Sequence, residues 1–107
     1  MDIRQYHVVL VNSDPTQGSE INKTRPCVVI SPNEMNKFLR TVVVAPMTSA
    51  NKPYPTRVAV VHNKISEQVI LDQIRTIDKS RILKSLGSLT TPEIQQCKQV
   101  IKQTYVD

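Results

Sequence analysis

The apolar residues of this chain come in short, β-branched runs, and that limits the fold more than any other feature of the sequence. Val8-Val-Leu-Val11, Cys27-Val-Val-Ile30 and Thr41-Val-Val-Val-Ala45 are each bounded by polar or turn-forming residues. Runs so short read as strands rather than buried helices. Arg57 to Val61, Gln68 to Ile74 and Ile82 to Leu89 read as three more, the last with imperfect alternation. Several of these strands lack a clean apolar/polar alternation, which points to a sheet covered on both faces. Lys79-Ser80-Arg81 reads as a turn. Two helices are expected. Ser31-Pro32-Asn33-Glu34 is a capping-box pattern with proline at the first helical position, predicting a short helix from Pro32 to about Asn36. Thr90-Thr91-Pro92-Glu93 opens a second helix in the same way, with Ile94, Cys97, Ile101 and Tyr105 along one face. With 107 residues the chain has the size of one domain, spanning 1–107. The expected fold is mainly β: a small, strongly bent, closed barrel with a short helix and a C-terminal helix packed against it.

Between the first two strands lies Asp14-Pro-Thr-Gln-Gly-Ser-Glu-Ile-Asn-Lys-Thr-Arg-Pro26. A connection of about a dozen residues is long for two strands, and such loops tend to hold functional groups on a rigid scaffold. This one carries two acids, Asp14 and Glu20, and two bases, Lys23 and Arg25. Pro15 and Pro26 stiffen its ends and Gly18 supplies a turn. On composition alone, a solvated hairpin loop with an ion pair explains the stretch equally well.

The order of the words is more specific. Asp14-Pro15-Thr16-x-Gly18-Ser19-Glu20, followed by Thr24-Arg25-Pro26-x-Val28-Val29-Ile30-Ser31-Pro32, resembles the MazF/PemK family of toxin endoribonucleases. Val44-Ala45-Pro46-Met47-Thr48-Ser49, Pro53-Tyr54-Pro55-Thr56 and Leu71-Asp72-Gln73-Ile74-Arg75-Thr76-Ile77-Asp78 are similar to later motifs of that family, in the same order. The resemblance runs from about Val8 to the C-terminus. It implies an SH3-like (CcdB/MazF-like) barrel that assembles as a symmetric homodimer. It also implies a sequence-selective, metal-independent endoribonuclease of a type II toxin–antitoxin pair. The substrate would be single-stranded RNA, mainly mRNA, cut to a 2′,3′-cyclic phosphate and a 5′-OH. The partner would be a MazE-like antitoxin with an acidic, apolar tail.

Metal-free RNA cleavage uses the 2′-OH of the RNA as nucleophile. That proton must be removed, the charge on the phosphorane stabilised, and the leaving 5′-oxygen protonated. Arg25 matches the family's catalytic arginine and Thr48 its catalytic threonine. A guanidinium rarely loses its proton, so Arg25 suits phosphorane stabilisation better than general-base work. Thr48 would hydrogen-bond a non-bridging oxygen. Glu20 is the stronger candidate for the base and matches an acid that some members use. Its position in the loop equally suits a loop-fixing role. Ser19, Lys23, Ser49, Asp72, Gln73, Arg75 and Arg81 are expected to bind substrate. Asp72 is as plausibly a fold residue, and Arg75, Lys79 and Arg81 as plausibly a solvated charged face.

Three departures from the family pattern stand out. Tyr6-His7 replaces a Gly-Asp pair, Asn63 to Glu67 lacks the glycine often found there, and Ile70 stands where some members carry an arginine two residues before the acid. That last departure weakens any acid-plus-arginine mechanism borrowed from those members. Nothing in the sequence brings His7 and His62 together.

With 14 basic and 9 acidic residues the formal charge is +5, and the pI is about 9.5, which suits a polyanionic partner. Three Tyr, one Phe and no Trp are too few for an aromatic stacking platform, so RNA contacts would rest on charge and hydrogen bonds. Cys27 and Cys97 are far apart, outside any metal spacing, and read as small buried hydrophobes. No cofactor or metal is expected. The opening Met-Asp-Ile-Arg is no signal peptide, and no apolar run approaches a membrane span, so a reduced cytoplasm is expected. Two rivals remain on the same barrel: a CcdB-like toxin that acts on DNA gyrase by binding, and an inactive interaction module.

Overall fold

The computed structural model describes residues 1–12 and 23–107. Among these residues seven antiparallel strands form one strongly bent sheet: β1 (His7–Asn12), β2 (Thr24–Val29), β3 (Thr41–Thr48), β4 (Arg57–His62), β5 (Ile65–Ile70), β6 (Arg75–Asp78) and β7 (Ile82–Ser88). Two helices accompany them, α1 (Asn33–Phe38) and α2 (Thr91–Ile101). The pairing order is β4-β5-β3-β2-β1-β7, with β6 also on β3. Eight-residue β3 creates the bend by changing partner along its length. Its first half pairs with β6, from Thr41↔Asp78 to Val44↔Arg75, and its end pairs with β5, at Met47↔Val69 and Thr48↔Gln68.

Both faces of the central strands are buried, which is why they lack alternation. Val8, Val28, Ala45, Met47, Val58, Val69 and Leu71 fill one core. Val9, Val11, Cys27, Val29, Val42, Val44 and Ile77 fill another on the opposite side. The expected closure is not reached: among the described strands β4 and β7 end the path without pairing. Cys97 and Val100 of α2 join the first core instead, so a helix covers what a further strand would have closed. The result is a half-barrel capped by a helix.

Several boundaries differ from the sequence expectation. Gln68 to Ile74 is not one strand. β5 begins at Ile65 and ends at Ile70, and Leu71–Gln73 form a single 3-10 turn before β6. Asn63 and Lys64 join β4 to β5 with φ of 51° and 66°, the left-handed pair that a two-residue hairpin turn needs. No glycine marks it, and the first half of β5, Ile65-Ser66-Glu67, lies before the strand start expected at Gln68. Lys79–Arg81 is a 3-10 turn, as expected of a connection. At α1 the capping box does not form, because Pro32 occupies the N-cap. The Ser31 hydroxyl is buried and engaged elsewhere: it donates to Asn36 Oδ1 and accepts from Val43 N at 3.0 Å, tying α1 to β3.

Tyr6 takes φ of 64°. A left-handed residue with a side chain costs about 1–2 kcal/mol. Tyr6 is only 7% exposed and packs in the first core, with Lys98 Nζ 5.9 Å from its ring centroid. An aromatic side chain buries roughly 150–250 Å², and at about 25 cal/mol per Å² that gain exceeds the backbone strain.

At α2 the capping box is present. The Thr90 hydroxyl accepts from Glu93 N, and Glu93 Oε1 accepts from Thr90 N at 2.9 Å. Glu93 Oε2 also accepts from Val61 N at 2.8 Å, so one carboxylate caps the helix and docks it on β4. Partial burial raises the Glu93 pKa, but the Thr90 and Val61 hydrogen bonds and nearby His62 outweigh it, and the net shift is downward. Its stabilisation is therefore fully present above the ordinary glutamate pKa and is lost as pH falls through the lowered folded value. Glu93→Ala should destabilise the protein by about 1–2 kcal/mol, a fall in Tm of about 4–15 °C at pH 7. That difference should shrink in melts taken at pH 3, and an unshifted Tm at pH 7 would remove the docking role. Beyond α2 the chain ends in a wider π-turn from Lys102 to Val106. Tyr105, in that wider turn, is half-exposed, contrary to a buried stripe, and its hydroxyl donates to Leu71 O at 2.6 Å.

Candidate RNA-cleavage site

Arg25 is the second residue of β2 and pairs with Val11, so its side chain leaves the sheet on the face of the second core. Arg75 opens β6 and pairs with Val44, on the same face. Pro46 lies opposite Cys27 on β3, between the two arginines, and Gln73 closes the 3-10 turn before Arg75. These four residues line a pocket of about 310 Å³, with both arginines exposed at its wall. Strand periodicity places Thr48 on the same face of β3 as Pro46.

The charge is felt in the sheet beneath. Burial pushes the Cys27 thiol up to about 11, a shift opposed by Arg75, Arg25 and Arg81. Cys27 is 1% exposed and protonated at neutral pH, so it contributes packing, as expected, and no nucleophile.

Arg25, Gln73 and Arg75 thus come together. The Thr48 hydroxyl accepts from Ala50 N at 3.1 Å. With one lone pair so engaged, its own proton is left to donate outward. The other predicted site residues fall elsewhere. Arg81 Nε donates to Asn12 O at 2.9 Å, anchoring the turn before β7 to the end of β1. Asp72 Oδ1 accepts from the Thr56 hydroxyl at 2.9 Å, so its carboxylate holds the β3–β4 connection against the 3-10 turn. Ser49 lies on a second pocket of about 310 Å³ lined also by Asn51, Ala59, Val61 and Gln68. Lys23 is exposed just before β2. Ser19 and Glu20, with Asp14 and Gly18, lie outside the described residues.

Two features were not foreseen. Gln68 lies directly opposite Thr48 across the β3–β5 ladder. Arg57 stands opposite Ile70 across the β4–β5 ladder, 5.0 Å from the Tyr54 ring centroid, with its buried Nε unpaired among the described residues. An arginine is thus present one strand away from the position where the sequence lacks it. Pairing across strands is not visible until the register is known. Neither His7 nor His62 lines the arginine pocket. Among the described residues no three of His, Cys, Asp and Glu are grouped to hold a metal ion.

Comparison with known proteins identifies the family and agrees with the fold. The sequence profile of a family described as PemK-like, MazF-like toxin of type II toxin–antitoxin system matches residues 4–105. An Endoribonuclease MazF from Staphylococcus saprophyticus is 34% identical, over 92% of this chain and 88% of that protein. A crystal structure of MazF from Deinococcus radiodurans superposes with a TM-score of 0.79 at 27% identity, covering 96% of each chain. A MazE–MazF structure from the same organism gives a TM-score of 0.80 at 24% identity, over 96% of this chain and 94% of that one, a likeness of fold.

Proposed function

Because this chain belongs to the PemK-like, MazF-like toxins of type II toxin–antitoxin systems, and is an endoribonuclease of that family, we propose that it cuts single-stranded RNA at the pocket between Arg25 and Arg75. The observation that carries this reading is the pairing of two exposed guanidiniums with the Gln73 amide around one small cleft. A phosphodiester entering the cleft meets two planar forks matched to its oxygens. In-line attack by the adjacent 2′-oxygen forms a P–O2′ bond and breaks the P–O5′ bond. Negative charge rises on the non-bridging oxygens as it does so, and Arg25 and Arg75 stabilise that charge. Thr48 donates its hydroxyl proton to a non-bridging oxygen and holds the phosphorus in line. Glu20 takes the 2′ proton. Arg25 gives a proton to the leaving 5′-oxygen, and exchange through solvent returns the proton held by Glu20 to Arg25. The products are a 2′,3′-cyclic phosphate and a 5′-OH, and no metal enters the scheme.

Lys23, Ser19 and Ser49 would guide the flanking nucleotides. Asp72 and Arg81 would act chiefly by fixing the loops and turns that carry the site, given the bonds they make. The working unit is a symmetric homodimer, and the regulator is a MazE-like antitoxin that covers the arginine pocket. Among the described residues no helix is long and apolar enough to cross a membrane. A cytoplasmic site of action fits an mRNA substrate.

The test is a defined RNA incubated with purified protein in excess EDTA, followed by end-mapping. Cleavage should persist and leave a 5′-OH. Strict dependence on added Mg²⁺ or Mn²⁺, or a 5′-phosphate at the cut, would exclude the scheme.

A further inference from the structure

Thr48 is the last residue of β3, and the chain beyond it has no ladder to hold it. Gln68 supplies one. Its side-chain Oε1 accepts from Lys52 N at 3.1 Å, and its Nε2 donates to Lys52 O at 2.9 Å. The carboxamide thus mimics one more residue of the strand, presenting an acceptor and a donor to the backbone of Lys52. Nε2 also donates to Asn51 Oδ1 at 3.1 Å. Gln68 is itself the residue opposite Thr48, so the clamp closes a tight loop: Thr48, then Ser49 to Lys52, then back across the ladder to Thr48. Inside that loop lies Ala50, whose N–H donates to the Thr48 hydroxyl. The far end of the connection is pinned separately, by Leu71 N donating to Thr56 O at 3.1 Å and by the Thr56–Asp72 bond. The near end, which carries Thr48 and Ser49, is therefore set by Gln68.

We infer that Gln68 is a positioning residue for RNA cleavage, fixing the Ser49–Lys52 loop so that the Ala50 N–H orients the Thr48 hydroxyl. This rests on the role of Thr48 given above. Gln68 touches no reacting atom. Without the clamp the loop shifts, Ala50 N leaves Thr48 Oγ1, and the hydroxyl rotor is free to point its proton away from the phosphate. Arg25 lies on β2, Gln73 in the 3-10 turn and Arg75 on β6, outside the Ser49–Lys52 loop, so substrate binding is kept while the chemical step slows.

The experiment is a kinetic cycle on a short fluorogenic RNA, with wild type, Gln68→Met, Thr48→Val and the double variant. Gln68→Met keeps side-chain length and removes the amide. It should lower kcat about tenfold with KM changed less than about twofold. In the Thr48→Val background the same change should lower kcat no further, because there is no hydroxyl left to orient. An unchanged kcat in Gln68→Met, or the same fall in both backgrounds, would overturn the positioning role while leaving that of Thr48 intact. An unchanged kcat in Thr48→Val alone would overturn the role of Thr48, and that of Gln68 with it. If Gln68→Met does not fold, Gln68→Glu takes its place. The carboxylate still accepts from Lys52 N but faces two acceptors, Lys52 O and Asn51 Oδ1, and the same coupled loss in kcat is expected.

Discussion

Arg25→Ala will lower the rate of RNA cleavage by about 100- to 1,000-fold, the loss typical of a removed transition-state donor. The protein will remain folded, because the Arg25 side chain is exposed and its backbone, not its guanidinium, holds β2 to β1 at Val11. Arg25→Lys separates charge from shape. It keeps a cation at the pocket wall but loses the fork that meets two phosphate oxygens at once, so about a tenfold loss should remain. The fall should lie mainly in kcat, since charge accumulates on the non-bridging oxygens as attack proceeds. Gel-based cleavage with circular dichroism as the folding control decides the matter. A folded Arg25→Ala protein with near wild-type rates would move the chemistry elsewhere.

The arginine pair was half legible in the sequence. Arg25 stood out because it opens a buried strand within a recognisable word, Thr24-Arg25-Pro26. Arg75 read equally well as part of a solvated basic run with Lys79 and Arg81. Only the β3–β6 register, with Val44 opposite Arg75 and Val29 opposite Val44, puts it on the same face as Arg25, across β3 from β2. The same limit hid Gln68, a polar residue in a strand whose start was marked by Asn63-Lys64 rather than by glycine. Side-chain periodicity foretells which face a residue takes, but not which strand it meets. Buried runs such as Val42, Val44 and Val28, Val29 were read correctly, since burial is written in residue type. Closure was read wrongly, because apolar strands need a cover on both faces and the sequence does not say whether strand or helix provides it. Asp72 was divided between substrate and fold, and its hydroxyl partner Thr56 supports the fold role.

RNA and antitoxin should compete for the arginine pocket, and both should lose affinity as salt rises, RNA the more steeply. Each phosphate neutralised on a single strand releases counterions, giving a slope of about −0.7 in log affinity per log salt. Contacts from Arg25, Arg75 and Lys23 would set a slope of roughly −2 per protomer, so raising salt from about 50 to 200 mM should weaken RNA about 20-fold. An acidic antitoxin segment meets the same guanidiniums but carries no condensed counterion layer of comparable density. Charge alone is screened within about 8 Å at physiological ionic strength, so that segment also needs apolar anchors, which salt does not weaken. Its affinity should therefore fall only a few-fold over the same range, and inhibition by antitoxin should strengthen relative to RNA binding as salt is raised. A segment that orders on binding loses entropy but can wrap a large surface, which lets it switch off a small enzyme without a rigid partner domain. The measurement is a fluorescent uncleavable RNA titrated with antitoxin fragment at the two salt concentrations. Displacement at both, with a steeper salt loss for RNA, is the expected result. A ternary complex with undiminished RNA affinity would place the antitoxin away from Arg25 and Arg75, and equal salt slopes would mean that phosphate contacts do not dominate RNA binding.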